Sequence, residues 1–80
     1  MRLDKFLKVS RIIKRRTVAN EACDAGRVEV NGKTAKASHD IKPGDVISIR
    51  FGDKITEAEV VAVKETVRKE EATTLYKLRG

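Results

Sequence analysis

Leu3, Phe6 and Leu7 recur at the spacing of one helix face, while Arg2, Lys5, Lys8 and Arg11 average about 180° away around the same axis. This pattern predicts a helix over residues 2–9 with an apolar side and a row of cations opposite. Ile12-Ile13 makes a short apolar anchor before Lys14-Arg15-Arg16. A second helix is predicted to open at Thr17 as N-cap, with Glu21 in its first turns favourable to the helix dipole. Val18, Ala19, Ala22 and Cys23 form its apolar stripe, and Gly26 stands where a left-handed residue ends a helix. From Val28 the period changes to two. Val28-Glu29-Val30 runs into Asn31-Gly32, the preferred type I′ pair, and Lys33 to Lys36 return as the partner strand. Pro43-Gly44-Asp45 marks another turn. Ile47, Ile49 and Phe51 then alternate with Val46, Ser48 and Arg50 as a half-buried strand, and a further strand covers residues 55–63. Of the aromatics Phe6, Phe51 and Tyr76, the first two fit core positions. The expected fold is α+β: two N-terminal helices packed on a small antiparallel sheet over residues 1–63. Residues 64–80 form a charged C-terminal extension, with a helical turn or two near residues 72–76.

Charge sharpens this picture. Residues 1–16 hold seven bases and one acid, Asp4, for a net charge of +6, whereas residues 17–80 hold eleven of each sign. The whole imbalance therefore sits in the first fifth of the chain, and nucleic acid is the commonest partner of so localised a positive surface. Three bases directly before a helix N-terminus repel the positive end of its dipole, by about 0.3–1 kcal/mol each when exposed. An anion there relieves the repulsion and accepts the free amide N–H groups, which reads as a backbone-phosphate site; the alternative is a solvated connector. With only three aromatic residues, the chain cannot grip single strands by repeated base stacking, so shape and phosphates of folded RNA suit it better.

Little else in the chain carries chemistry. Apolar residues make up 40%, enough for one modest core in 80 residues. No run approaches the ~20 apolar residues of a membrane span, and no secretory apolar block opens the chain. The single cysteine, Cys23, excludes an internal disulfide and fits a core position; the single histidine, His39, falls in a loop, expected at the surface. One Cys and one His make no structural zinc site, and no glycine-rich phosphate loop is present. The Glu57/Glu59 and Glu70/Glu71 pairs are not expected to do acid–base work. The chain is read as a non-enzyme without metal or cofactor, in a reducing cytoplasm.

Arg2-Leu3-Asp4-Lys5-Phe6-Leu7, Arg16-Thr17 leading to Ala19, Gly26-Arg27-Val28, Val30-Asn31-Gly32-Lys33 and Gly44-Asp45, in this order over about residues 1–50, resemble the S-four RNA-binding domain. The resemblance implies that two helices and the following hairpin dock on structured RNA, with Arg2 and Arg16 in the contact surface. Lys5, Lys8, Arg11, Lys14, Arg15, Thr17, Asn20, Arg27, Lys33 and Lys36 complete the candidate set. The chain departs from the pattern at Arg15, where many members carry Ser: the extra cation strengthens phosphate contact and removes a cap that Thr17 is expected to replace. Many members carry the domain as an appendage to an RNA-modifying enzyme, and a stand-alone version is expected here. "RLDKFLKVSRIIKRRT", "AKAS-x-D-I-K-P-G-D" and "KEEA" resemble a group acting in ribosome-associated quality control on obstructed large subunits. That resemblance implies large-subunit rRNA and peptidyl-tRNA as partners. It also implies stabilisation of the P-site tRNA while an RqcH-type tailing factor adds alanines, by a protein acting as a monomer. A heat-shock-type member that recycles stalled subunits, and the detached targeting domain of an RNA-modifying enzyme, are the alternatives. A membrane-surface element is disfavoured because the first helix is short and lacks Trp, and a duplex-DNA reader because no helix-turn-helix signature is present.

Overall fold

In the computed structural model, which describes residues 1–79, Leu3, Phe6 and Leu7 are completely buried on the inner side of helix α1, Leu3–Val9. Each contributes roughly 1.5–3 kcal/mol of burial. The N-terminus of α1 has no side-chain cap. Its free amides are taken up by the loop after the first hairpin instead: the N–H groups of Leu3 and Asp4 donate to the carbonyls of His39 and Ala37, at 2.8 and 3.1 Å. Ile41 N–H donates to the Met1 carbonyl, and the terminal ammonium pairs with Asp40 at 2.6 Å. The start of the chain is thus stitched to residues 37–41.

Helix α2, Arg16–Asp24, buries Ala19, Ala22 and Cys23 against α1 and the core. Small side chains there let the two helices sit close. Gly26, at φ 73, closes α2 as predicted: its N–H bonds the Cys23 carbonyl and the next N–H, of Arg27, bonds the Ala22 carbonyl. This is the paired pattern that satisfies the last carbonyls of a helix.

Under the helices lies a five-stranded antiparallel sheet of order β2-β1-β3-β4-β5. Its strands are β1 Val28–Val30, β2 Lys33–Thr34, β3 Val46–Phe51, β4 Lys54–Val60 and β5 Tyr76–Arg79. The register sets Val28 opposite Ile49, Val30 opposite Ile47, and Ile47 opposite Ala58, so the apolar alternation of three strands shares the helix-covered face. Asn31 and Gly32, at φ 53 and 84, make the β1–β2 turn with both central residues left-handed. The Asn31 side chain does more than turn: its amide donates to Asp45 at 3.1 Å and its carbonyl accepts from Val46 N–H at 2.9 Å. The asparagine-glycine and proline-glycine-aspartate turns are therefore one hydrogen-bonded unit around the buried Asp45.

Several expectations are corrected. Helix α2 begins at Arg16, with Arg15 extended at the N-cap position, so Thr17 lies inside the first turn and caps nothing. Glu21 falls beyond that turn, which holds no acid. Entering the helix earlier brings Arg16 within reach of Asp4. Val18 is exposed, because the stripe that packs is Ala19, Ala22 and Cys23. The first helix stops at Val9 and Arg11 takes a left-handed conformation at φ 62, so Arg2, Lys5, Lys8 and Arg11 do not form one helical row. Phe51 is exposed at the end of β3, where it pairs with Lys54 beside the hairpin turn. Strand β2 ends at Thr34, leaving Lys36 in a loop. Strand β4 ends at Val60, since the next amides, of Val61 and Ala62, both turn to the Leu75 carbonyl. The expected helical turn near residue 72 is a 3₁₀ helix, Lys69–Leu75. It sends Ala72 and Leu75 into the core, and β5 then pairs with β4.

Candidate nucleic-acid interface

The lone acid of the basic N-terminal segment is the centre of a hydrogen-bonded polar cluster that joins the two helices. Asp4 sits one residue inside α1, 2% exposed, with the Lys5 N–H donating to its Oδ1 at 2.8 Å. Arg2 approaches from the residue before the helix, Nε to Oδ1 at 3.1 Å and Nη2 to Oδ2 at 3.4 Å. Across the helix pair, Arg16 Nε and Asn20 Nδ2 each reach Oδ2 at 3.4 Å. Arg16 and Asn20 are one helical turn apart on α2, which is what lets both face the same carboxylate. Burial opposes ionisation of Asp4. Even so, hydrogen bonds from Arg2, Asn20 and Arg16, with the charge of Arg16, hold its carboxyl below the ordinary carboxylate value. The Arg2 and Arg16 side chains remain about half exposed while the Asp4 side chain is hidden.

The other candidate cations distribute around this cluster. Arg2, Asn20 and Lys36 line a groove of about 590 Å³ between α2 and the loop after the hairpin, together with Cys23, Asp24, Ala35 and Ala37. The stitching of residues 1–4 to residues 37–41 is what brings Arg2 and Lys36 to the same groove. Lys8, Arg11 and Lys14 line a second cleft, of about 190 Å³, closed on the other side by Glu65, Thr66 and Val67. Arg15 and Thr17 are exposed at the uncapped start of α2, beside the free amides of its first turn. Lys5 is half-buried and paired with Glu65, so its charge is partly compensated. Lys33 lies at a separate hollow with Asn31 and His39. Arg27 lies away from the groups above, beside Glu29, Arg50 and Glu57 at a hollow formed with β3 and β4. The structure thus gathers Arg2, Asn20 and Lys36 around one groove, with Arg16 joined to Arg2 and Asn20 through Asp4, and Lys8, Arg11 and Lys14 around another, and leaves Arg27 and Lys33 outside both.

Sequence reasoning missed Asp4 and Glu65. Asp4 carried a signal, as the one acid among seven nearby bases. Glu65 carried none, because its partner Lys5 is sixty positions away. Cys23 is buried in the core, and its thiol is pushed up to about 11 by burial and by the charges of Asp4 and Asp24. Among the described residues, no group of three or more His, Cys, Asp or Glu side chains is placed to hold a metal ion.

Two short helices presenting half-exposed arginines and lysines above an antiparallel sheet define a small α+β module built to meet an anionic surface. The S4 domain model matches residues 1–47, and the chain belongs to the S4 domain family. It is 62% identical over 79 residues to a protein of Halalkalibacterium halodurans named RQC P-site tRNA stabilizing factor, covering 99% of this chain and 90% of that one. A Bacillus subtilis protein of the same name is 58% identical over 76 residues, covering 95% and 88%. The fold superposes on the trimeric structure of Vibrio cholerae heat shock protein 15 with a TM-score of 0.90 at 31% identity, covering 99% of this chain and 81% of that chain.

Proposed function

We propose that this protein is a non-enzymatic RNA-binding factor of ribosome-associated quality control, acting in the cytoplasm on large ribosomal subunits obstructed by peptidyl-tRNA. It binds large-subunit rRNA together with the tRNA and holds that tRNA in the P site. The observation that carries this reading is the placement of the chain's entire net charge in the segment that builds α1, the connection and the start of α2. The names of the two bacterial relatives support the choice of particle. Arg2, Lys8, Arg11, Lys14, Arg15 and Arg16 meet backbone phosphates, and the free amides of the α2 N-terminus, next to Thr17, donate to another. Asn20, Lys36, Arg27 and Lys33 extend the contact, and Lys5 joins once released from Glu65. The protein adds no bond chemistry. It contributes affinity that is greater for the tRNA-occupied particle than for the empty one, and a ligand shifts an equilibrium only by that difference. The tailing step, alanine addition by an RqcH-type factor, then acts on a tRNA kept in place.

The likeness to heat shock protein 15 favours a second reading, in which the same surface serves recycling of stalled subunits. Gradient co-sedimentation at fixed salt with intact ribosomes, empty large subunits and large subunits carrying peptidyl-tRNA tests the proposal. Selective binding to the last is expected. Equal binding to all three, or to none, refutes it. Alanine addition assayed with and without the protein on the occupied particle separates tailing from recycling. One copy per particle is expected, and the stoichiometry in the gradient reads this against the trimer described for the heat shock protein 15 relative.

A further inference from the structure

Counting charges makes Asp4 a defect in a phosphate-binding surface, and its geometry says the reverse. The carboxylate is 2% exposed, so an approaching RNA does not meet it, whereas the Arg2 and Arg16 side chains bound to it are 51% and 47% exposed. Arg16 reaches Asp4 through Nε alone, and Arg2 through Nε and Nη2. Held by those edges, both guanidiniums keep Nη hydrogens directed away from the carboxylate. Arg16 comes from α2 and Arg2 from the start of α1, and the hydrogen bonds of both among the described residues converge on this shared acceptor, itself bonded by Asn20 and the Lys5 N–H. Unrestrained arginines lose about 2 kcal/mol of side-chain freedom each when a ligand immobilises them. Here that ordering is done before the ligand arrives.

We propose that Asp4 is a positioning residue that locks Arg2 and Arg16 into a single clamp for one RNA phosphodiester group, so that its negative charge strengthens RNA binding. This rests on the RNA-binding reading above and names the chemistry of one part of that surface. Two consequences separate the clamp from a diffuse positive patch. Removing the negative charge by Asp4→Asn makes the surface more positive yet weakens binding. Arg16→Lys keeps the charge yet also weakens binding, because a compact ammonium lacks the rigid planar fork that fixes one edge on the carboxylate and aims the other at a phosphate.

The test measures binding of the full chain to purified large ribosomal subunits over a salt series, with thermal melts of each variant. Asp4→Asn and Arg16→Lys are each expected to weaken binding about tenfold, the loss of one charge-assisted contact. The slope of log affinity against log salt should stay within about one unit of the wild type, since the number of phosphates neutralised hardly changes. The double variant should bind no worse than about twofold below either single variant, because both changes disable one clamp. A purely structural role for Asp4 would lower the melting temperature without producing this coupling. Folded Asp4→Asn protein that binds as well as or better than the wild type overturns the clamp. If Asp4→Asn does not fold, Arg16→Lys decides: binding equal to wild type overturns the clamp, and a tenfold loss upholds it. Wild-type protein with no salt-dependent affinity for the subunits overturns the RNA-binding reading itself, an outcome distinct from loss of the clamp alone.

Discussion

Leu75→Ala tests whether the charged C-terminal stretch is part of the folded body. Leu75 is completely buried although its neighbours Thr73 and Thr74 are exposed, so the substitution removes a side chain that no solvent-facing rearrangement replaces. Leu→Ala at fully buried sites costs about 2–5 kcal/mol, from lost transfer energy plus the cavity left behind. A value near 3 kcal/mol is expected, since Leu75 joins a core built from both helices and the sheet. A chain of 80 residues has a total stability on the order of 4–12 kcal/mol, so this is a large fraction. At 4–8 °C per kcal/mol for domains of this size, the melting temperature should fall by roughly 12–24 °C. Urea melts followed by far-ultraviolet circular dichroism measure the change. Leu78→Ala is the control, because Leu78 lies on β5 but is 67% exposed; it should stay within about 0.5 kcal/mol of the wild type. Amide exchange gives a second readout: the N–H groups of Val61 and Ala62 both donate to the Leu75 carbonyl, at 2.8 and 3.2 Å, and should lose protection together. A Leu75→Ala loss under about 1 kcal/mol, or the same loss at Leu78, would refute the integration of this segment into the core.

Four other outcomes are expected. Gly32→Ala should cost about 1 kcal/mol in chemical melts, because φ is 84 while nothing lies within 4 Å of an added methyl; an unchanged midpoint would remove the turn argument. The Asp4 carboxyl is held below the ordinary carboxylate value by its hydrogen bonds from Arg2, Asn20 and Arg16, so its network stabilises the fold fully above that ordinary value and is lost as the pH falls through the depressed one; Asp4→Asn should flatten that acid limb of the melting-temperature profile. Cys23, buried and with its thiol near 11, should react with a thiol reagent in folded protein only through opening of the structure, and immediate labelling would place it at the surface. Binding to large subunits should fall with salt with a log–log slope of roughly −4 to −6, and a slope near zero would leave no role for the N-terminal cations.

The local features of the fold were legible where one short segment carries its own physical reason. Leu3, Phe6 and Leu7 announce a helix by spacing, Asn31-Gly32 announces a turn that needs two left-handed residues, and Gly26 announces a helix end. The localisation of net charge is likewise a property of sequence alone, and with it the class of partner. Errors arose where a residue's role depended on what lies above or beside it. Phe51 alternates correctly with Ile47 and Ile49, yet it ends β3 beside the hairpin turn, opposite Lys54, and is exposed there. Thr17 is a good cap in isolation, but the helix starts at Arg16, the residue whose guanidinium meets Asp4.

The candidate site divides in the same way. Sequence supplied the cations, because charge is written in residue type. It could not group them, because grouping depends on distances between segments far apart in the chain. Only the tertiary structure placed Lys36 on the same groove as Arg2, set Glu65 against Lys5, and left Arg27 beside another hollow. It alone turned Asp4 from a minor subtraction in the charge count into the acceptor on which two arginines converge. The physical reason is that charge sums over a sequence, while hydrogen bonding requires atoms within about 3 Å in a fixed direction.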